Sequence, residues 1–393
     1  MHRVAILIEY PTVNGGENSI LAGLRYLLAC PKLGFEFCVL GPTEGPMPER
    51  ISELGIPIEP LTLFDKAGIR LPRELAIPRL LAAAKTSGAD LVHGNSLAMG
   101  RLLGAASRES PTFVTTSHLR DIMKLSRAAI TDLNANRRLI AVSQATLQFH
   151  IRQGLDQSSG TVILNGIDSD RFTAECSTRA KIRNELGIAE DAIVLLTVGQ
   201  IGIRKGLDTL AEVGQTLAQT RTGLHWLLAG ERFSQKAESV EFETEILKRF
   251  MVCEPALRLH RLGYRRDVPD LMRASDVLVH GARQEPLGRV LLEAAASELA
   301  IVATDVGGTG EIIVDGESGL LVPADAPGKM AAAIDRLIDD GRFRRQLASG
   351  GHCRIQGNFG IAKSAEALAE VWRSVIISAE QDRLMNDDQD RKE

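Results

Sequence analysis

RQEPLGRVLLEAAASELAIVATDVGGTGEII, residues 283–313, carries the reading that decides the fold. EPLG (285–288) reads as a turn that opens a helix at about Gly288, AIVATD (300–305) as a short buried strand, and the segment after it as a glycine-containing loop. Another strand signature, DVLVHG (276–281), directly precedes Arg283. Strand, helix, strand in this spacing is the unit of a parallel sheet. Outward from it the same rhythm repeats in AIVLLTVG (192–199), LHWLLAG (224–230), LRLHRLG (257–263) and GLLVP (319–323). An earlier series runs through VAILI (4–8), FCVL (37–40), LVHG (91–94), TFVTT (112–116), LIAVS (139–143) and TVILN (161–165). The chain therefore reads as α/β, with two doubly wound parallel sheets and a boundary in the polar stretch 166–190.

Two units also suit 393 residues, since a domain usually takes roughly 100 to 200. With 44% apolar and 24% charged residues and a net charge of -4, the composition is that of an ordinary globular protein and gives no basis for binding nucleic acid. Residues 1–165 hold 17 Lys and Arg against 14 Asp and Glu, a small positive balance that permits contact with an anionic acceptor or a membrane surface. The five cysteines (30, 38, 176, 253, 353) form no CxxC pair, so the expectation is reduced thiols and a cytoplasmic protein, peripheral at a membrane at most. No apolar run approaches the ~20 residues of a membrane span, and the N-terminus enters a strand at Val4 with no basic leader, so secretion is not expected. The end, QDRLMNDDQDRKE, reads as a fraying helix or a charged tail (383–393).

Ligands of open parallel sheets bind beyond the carboxyl ends of the strands, so chemistry is sought in the loops that follow them. Glu285 lies in such a loop, and Glu293 about five residues inside the helix. Two carboxylates at two depths, beside the amides of Leu287 and Gly288, suit the hydroxyls and phosphates of a sugar nucleotide. Taken alone, both glutamates also fit solvated or salt-bridged helix charges. Gly15 and Gly16 follow the first strand, where missing side chains let amides approach a diphosphate, or simply make a tight turn. Arg204 and Lys205 precede the helix GLDTLAEVGQTL and offer fixed cations for charge on a leaving diphosphate, although Arg204 equally suits a solvated loop. His118 follows TFVTT, and His93 ends LVHG. The DSD of residues 168–170 resembles a metal-holding DxD, but its place in NGIDSDRF makes Asp168 a turn or helix cap instead, and no metal site is expected.

The 283–313 stretch resembles the EX7E motif and glycine-rich loop of family 4 (group 1) glycosyltransferases. The resemblance extends, in order, through VNGGENSI (13–20), DLVHGNS (90–96), TTSHLRD (115–121), LIAVSQAT (139–146), VILNGIDSDRF (162–172) and VGQIGIRKGLDTL (198–210). It implies a GT-B fold: two Rossmann-like domains facing an interdomain cleft. Residues 1–170 would form the acceptor-side domain, completed by a crossover helix at about 360–382, and residues 171–358 the donor-binding domain. It further implies a retaining, metal-independent transfer of a hexose-type sugar from a nucleoside-diphosphate sugar, with no cofactor, to a glycan, lipid-linked or small-molecule acceptor. His118, Lys205 and Glu285 become the catalytic set. Gly15, Gly16, Arg204, Lys205, Tyr264, Glu285, Leu287, Gly288 and Glu293 become donor-binding, with Tyr264 near the base and Glu293 on the ribose. His93 is expected to be structural or to stand behind the site. Gln200 stands where the family carries Arg, keeping a donor and losing the charge. Two alternatives remain open: a degenerate relative that binds a sugar nucleotide or glycan without transfer, and a sugar-nucleotide epimerase.

Overall fold

The structure, a computed structural model, describes residues 1–110, 113–172 and 176–390. It divides into two compact units, residues 1–166 with the segment from Ile361 onward, and Ile167–Gly360. The sequence reading placed the boundary at 170/171. It falls earlier because Ile167 joins the second unit, where its N–H donates to Phe359 O at 2.8 Å and it bridges Gly360.

The first unit is built on a seven-stranded sheet of β1 (His2–Leu7), β2 (Phe35–Gly41), β3 (Ile58–Pro60), β4 (Leu91–Gly94), β5 (Thr115–Leu119), β6 (Arg138–Ala141) and β7 (Gly160–Val162), in the order β3-β2-β1-β4-β5-β6-β7. All its pairings are parallel. Alternate residues of β1 serve opposite faces, as the pleat requires. Val4 and Ile6 pack with the helix Gly15–Leu28 and the C-terminal helix, while Ala5 and Leu7 pack with Ile77, Leu80 and Leu103. The C-terminal helix, Ile361–Asp390, presents Ala365, Leu368, Ala369, Trp372, Val375, Ile376 and Ala379 at three- and four-residue spacing to this core. Each larger side chain buried in that stripe stabilises the helix by ~1.5–3 kcal/mol. Helix continues to Asp390 through most of the expected tail, whose last three residues lie outside the described ones.

One strand differs from the sequence reading in a way that matters for the site. The apolar run suggested 112–116, but β5 spans Thr115–Leu119, so His118 lies inside the strand and not after it. Register with β4 (Val92 beside Thr115, His93 beside Thr116) sets this placement. The strand's polar residues are buried; Ser117 Oγ donates to Gly94 O at 3.1 Å, and Thr116 and His118 find partners on His93, whereas Thr115 Oγ1 has none among the described residues.

The second unit holds a six-stranded parallel sheet of β8 (Val194–Val198), β9 (Leu224–Ala229), β10 (Leu257–Gly263), β11 (Val277–His280), β12 (Ala300–Thr304) and β13 (Leu320–Val322), in the order β10-β9-β8-β11-β12-β13. Leu195, Trp226, Leu228, Val277, Val279 and Val302 form one core with the helices Leu207–Ala218 and Pro327–Asp339. Each sheet reverses its chain order once, between β1 and β4 and between β8 and β11. Loops leaving adjacent strands there go to opposite faces and open a crevice at the carboxyl ends. Among the described residues no helix is long and apolar enough to cross a membrane.

Candidate functional site

In the second unit the loops after β8 and β11 meet at this reversal. Gly206 has φ +63°, and a Cβ there would stand 1.9 Å from Gly281 O, so only glycine allows the two loops this approach. Arg283 ties them further. Its N–H donates to Arg204 O at 2.9 Å, and its guanidinium donates to Ile203 O and, with two parallel bonds of 2.8 Å, to Asp208. Lys205 Nζ is thereby brought 2.6 Å from Glu285 Oε2, which also lies 3.1 Å from His280 Nε2. Burial alone would raise the Glu285 pKa, but the Lys205 charge and the His280 hydrogen bond outweigh it and hold the carboxyl at about 2. Burial lowers the His280 pKa, so a neutral ring donates its Nε2–H to an ionised carboxylate.

Gly308 N donates to Glu285 O at 2.9 Å and fixes the loop's backbone. Gly288 has φ +108° and ends the loop as N-cap of the helix Arg289–Ala296. The N–H groups of Leu287 and Gly288 enter no hydrogen bond among the described residues, although the Leu287 side chain is buried. Glu293 is the fifth residue of that helix and accepts from Arg289 Nε at 2.7 Å, so its carboxylate meets any ligand already paired with a cation. Arg204 and Gln200 are exposed.

Tyr264 stands apart from this cluster, in the loop after β10, 56% exposed and with its backbone N–H donating to Glu231 Oε1 at 3.1 Å. Beside it an open pocket of ≈ 410 Å³ is lined by Glu231, Arg232, Glu243, Arg261, Leu262 and Gly263. The buried Glu243 carboxylate accepts from Arg232 and Arg261. Glu231, Arg232 and Glu243 escaped the sequence reading because they are isolated charges on separate elements with no common spacing.

In the first unit Gly15 and Gly16 open a helix whose N-cap Asn14 and Glu17 form a capping box. Gly16 O accepts from Asn95 Nδ2 at 3.3 Å, and a Cβ on Gly16 would lie 3.0 Å from Arg120 Cδ. Arg120 donates to Asn95 O at 3.1 Å, to Asn95 Oδ1 at 3.0 Å and to Asn165 Oδ1 at 2.9 Å. It thus joins the loops after β1, β4, β5 and β7. The sequence reading passed over Arg120; its signal was its place two residues after His118, where a strand's period of two would keep both on one side. His118 is 4% exposed, with Nδ1 2.7 Å from Nε2 of the fully buried His93. Burial, then the Arg120 charge, lowers His93 to about 3 and takes His118 well below the ordinary histidine range. Asp168 precedes a short turn and accepts through its carbonyl from Arg171 N at 3.3 Å. Among the described residues no three His, Cys, Asp or Glu side chains gather as a metal site needs.

Two family models match the chain: glycosyl transferases group 1 over residues 178–352 and glycosyltransferase family 4 over residues 13–171. LpsB of Rhizobium meliloti, a lipopolysaccharide core biosynthesis mannosyltransferase, is 30% identical over 55% of this chain and 61% of its own length. D-inositol 3-phosphate glycosyltransferase of Kineococcus radiotolerans is 33% identical over 57% of this chain and 53% of its own length. The chain thus spans less than two thirds of either relative. Among solved structures, Anabaena Alr3699/HepE in complex with UDP-glucose superimposes over 95% of this chain and 100% of its own, with a TM-score of 0.82 at 23% identity. Sucrose-phosphate synthase of Thermosynechococcus elongatus covers 96% and 100%, with a TM-score of 0.75 at 20% identity. These likenesses are of fold: both neighbours share the pair of Rossmann-like units.

Proposed function

The chain belongs to the group 1 glycosyltransferases of family 4, and on that premise we propose that it transfers a hexose-type sugar, with retention and without a metal, from a nucleoside-diphosphate sugar to a hydroxyl acceptor. The observation that carries the proposal is the cluster at the β8/β11 reversal: Lys205, Glu285 and His280 in one hydrogen-bonded group, next to the two unused N–H groups of Leu287 and Gly288. Lys205, with the exposed Arg204, would offset charge that grows on the departing diphosphate. Glu285 would accept from a hydroxyl of the transferred sugar while the two amides donate to its oxygens. Glu293 would accept from the ribose hydroxyls, and the loop of Gly263 and Tyr264 would hold the base. Gly15, Gly16 and His118 would serve the diphosphate and the reacting sugar from the first unit, which would also take the acceptor. A donor phosphate oxygen would receive the acceptor's proton, so the protein supplies position and charge and no nucleophile. The uridine nucleotide in the Anabaena complex makes UDP-sugars the first donors to try.

The test is calorimetric binding of a panel of nucleoside diphosphates and their sugars, with and without EDTA, followed by transfer assays on wild type and Glu293→Ala. Selective binding that survives EDTA is expected, and Glu293→Ala should lose ~2 to 4 kcal/mol of transition-state stabilisation, the range of a charge-assisted contact or an electrostatic donor. A wild-type rate in the variant would remove Glu293 from the site. One observation favours a second reading: the uncharged, exposed Gln200 leaves the loop after β8 one cation short of the family pattern. Donor binding without transfer or hydrolysis would make the protein a sugar-nucleotide binder.

A further inference from the structure

We propose that Trp372 and His93 are positioning residues that lock His118 into the tautomer with its proton on Nε2, so that the first unit presents an N–H donor to its ligand and not a proton acceptor. The Trp372 indole N–H has a role fixed by its chemistry: it donates and never accepts. Trp372 Nε1, on the C-terminal helix, lies 3.3 Å from Nδ1 of His93, and both side chains are fully buried. His93 Nδ1 must therefore accept, which leaves the proton of the neutral ring on Nε2. That nitrogen is 2.7 Å from His118 Nδ1 and donates to it. His118 Nδ1 is then an acceptor in turn, and its own proton is forced onto Nε2.

Thr116 Oγ1, 2.9 Å from His93 Nδ1, donates or accepts equally well and follows whichever form the ring adopts. The opposite tautomer would aim the His93 Nδ1–H at the indole N–H and leave a buried donor without a partner. Burial first, and the Arg120 charge second, disfavour a proton on both nitrogens of either ring. His118 Nε2 enters no hydrogen bond among the described residues. Its N–H is aimed by two successive buried bonds, on a strand, and matches a hydroxyl or phosphoryl oxygen. A helix residue 279 positions from His93 in sequence thus sets the polarity of this nitrogen. The functional part rests on the transferase reading; the tautomers themselves do not.

The full chain labelled with ¹⁵N-histidine is examined by long-range ¹H–¹⁵N correlation at neutral pH, with the rings assigned through single-histidine substitutions. His93 and His118 are each expected to show a protonated Nε2 and an unprotonated Nδ1; the reverse pattern, or an averaged one, in wild type overturns the lock. Trp372→Phe keeps ring contacts with Phe35 and Phe37, removes the obligate donor, and lets Thr116 accept, so the signals should move toward a mixture. An unchanged spectrum in that variant overturns the role of Trp372. Thr116→Val should leave both tautomers as they are, and a change there overturns the claim that the indole alone decides. In transfer assays the Gln amide of His118→Gln reaches the Nε2 position, whereas Asn does not, so kcat should fall within about tenfold for Gln and about a hundredfold for Asn, in the range of one lost electrostatic donor. Equal losses overturn the donor role. Absence of turnover in wild type beside the expected tautomers removes the transferase reading and leaves the lock standing.

Discussion

Replacing Lys205 with Met removes the cation that keeps Glu285 ionised. The carboxylate has 9% of its side chain exposed, Lys205 has 18%, and the remaining partner, His280, is neutral. The shift of Glu285 from 4.5 to about 2 corresponds to about 3 kcal/mol at 1.36 kcal/mol per unit. Removing one partner of a buried pair costs about 3–5 kcal/mol in general, so a loss of about 3 kcal/mol is expected here. For a unit of this size that amounts to a fall in Tm of roughly 6–12 °C. The pH dependence follows from the sign of the shift. A depressed carboxyl stabilises the fold above its unfolded value of 4.5, and the contribution is lost as pH falls toward about 2. The variant's folded-state pKa rises, so its stability should change less across that window. Denaturation monitored by circular dichroism at several pH values reads both effects. Lys205→Met combined with Glu285→Gln should recover a large part of the loss, because it removes both charges together. Equal stability of wild type and Lys205→Met at neutral pH, with the same acid limb, would refute the argument.

Two further substitutions test the backbone that supports this cluster. Glu298 sits exposed at φ +53°, a conformation that costs a side-chain-bearing residue ~1–2 kcal/mol. Glu298→Gly should relieve it and, after the ~0.4–1 kcal/mol that glycine's freedom in the unfolded chain takes back, raise stability by ~0.5–1 kcal/mol; a lower melting temperature would contradict this. Gly206→Ala forces a Cβ against Gly281 O, 1.9 Å away. It should cost at least ~2 kcal/mol in denaturant titration and weaken nucleotide binding by shifting Lys205, whereas wild-type stability would mean the two loops are free to part.

What the sequence alone determined was local. The strand and helix alternation, the two sheets, and the turn that puts Glu285 in a loop and Glu293 five residues into a helix follow from periodicities and turn chemistry that act over a few residues. Glycine at 288 likewise marked a turn that the structure builds at positive φ, whereas the positive φ of Gly206 became visible only in the fold. Tertiary structure decided everything that depends on strands side by side. Lys205 and Glu285 meet across 80 residues of chain because β8 and β11 are neighbours at the point where the sheet's order reverses. Their pairing, and the pairing of Glu293 with Arg289, gave each carboxylate the cation partner that the residue pattern alone had left open. The shift of β5 to Thr115–Leu119 came from its pairing with β4 and β6, which overrode the apolar run just before it and carried four polar side chains into the interior. Trp372 had no local signature, and the roles of Arg120 and His93 also come from partners on other strands or helices. A parallel sheet collects distant strand ends along one edge, and which ends become neighbours is written in the packing of the whole unit.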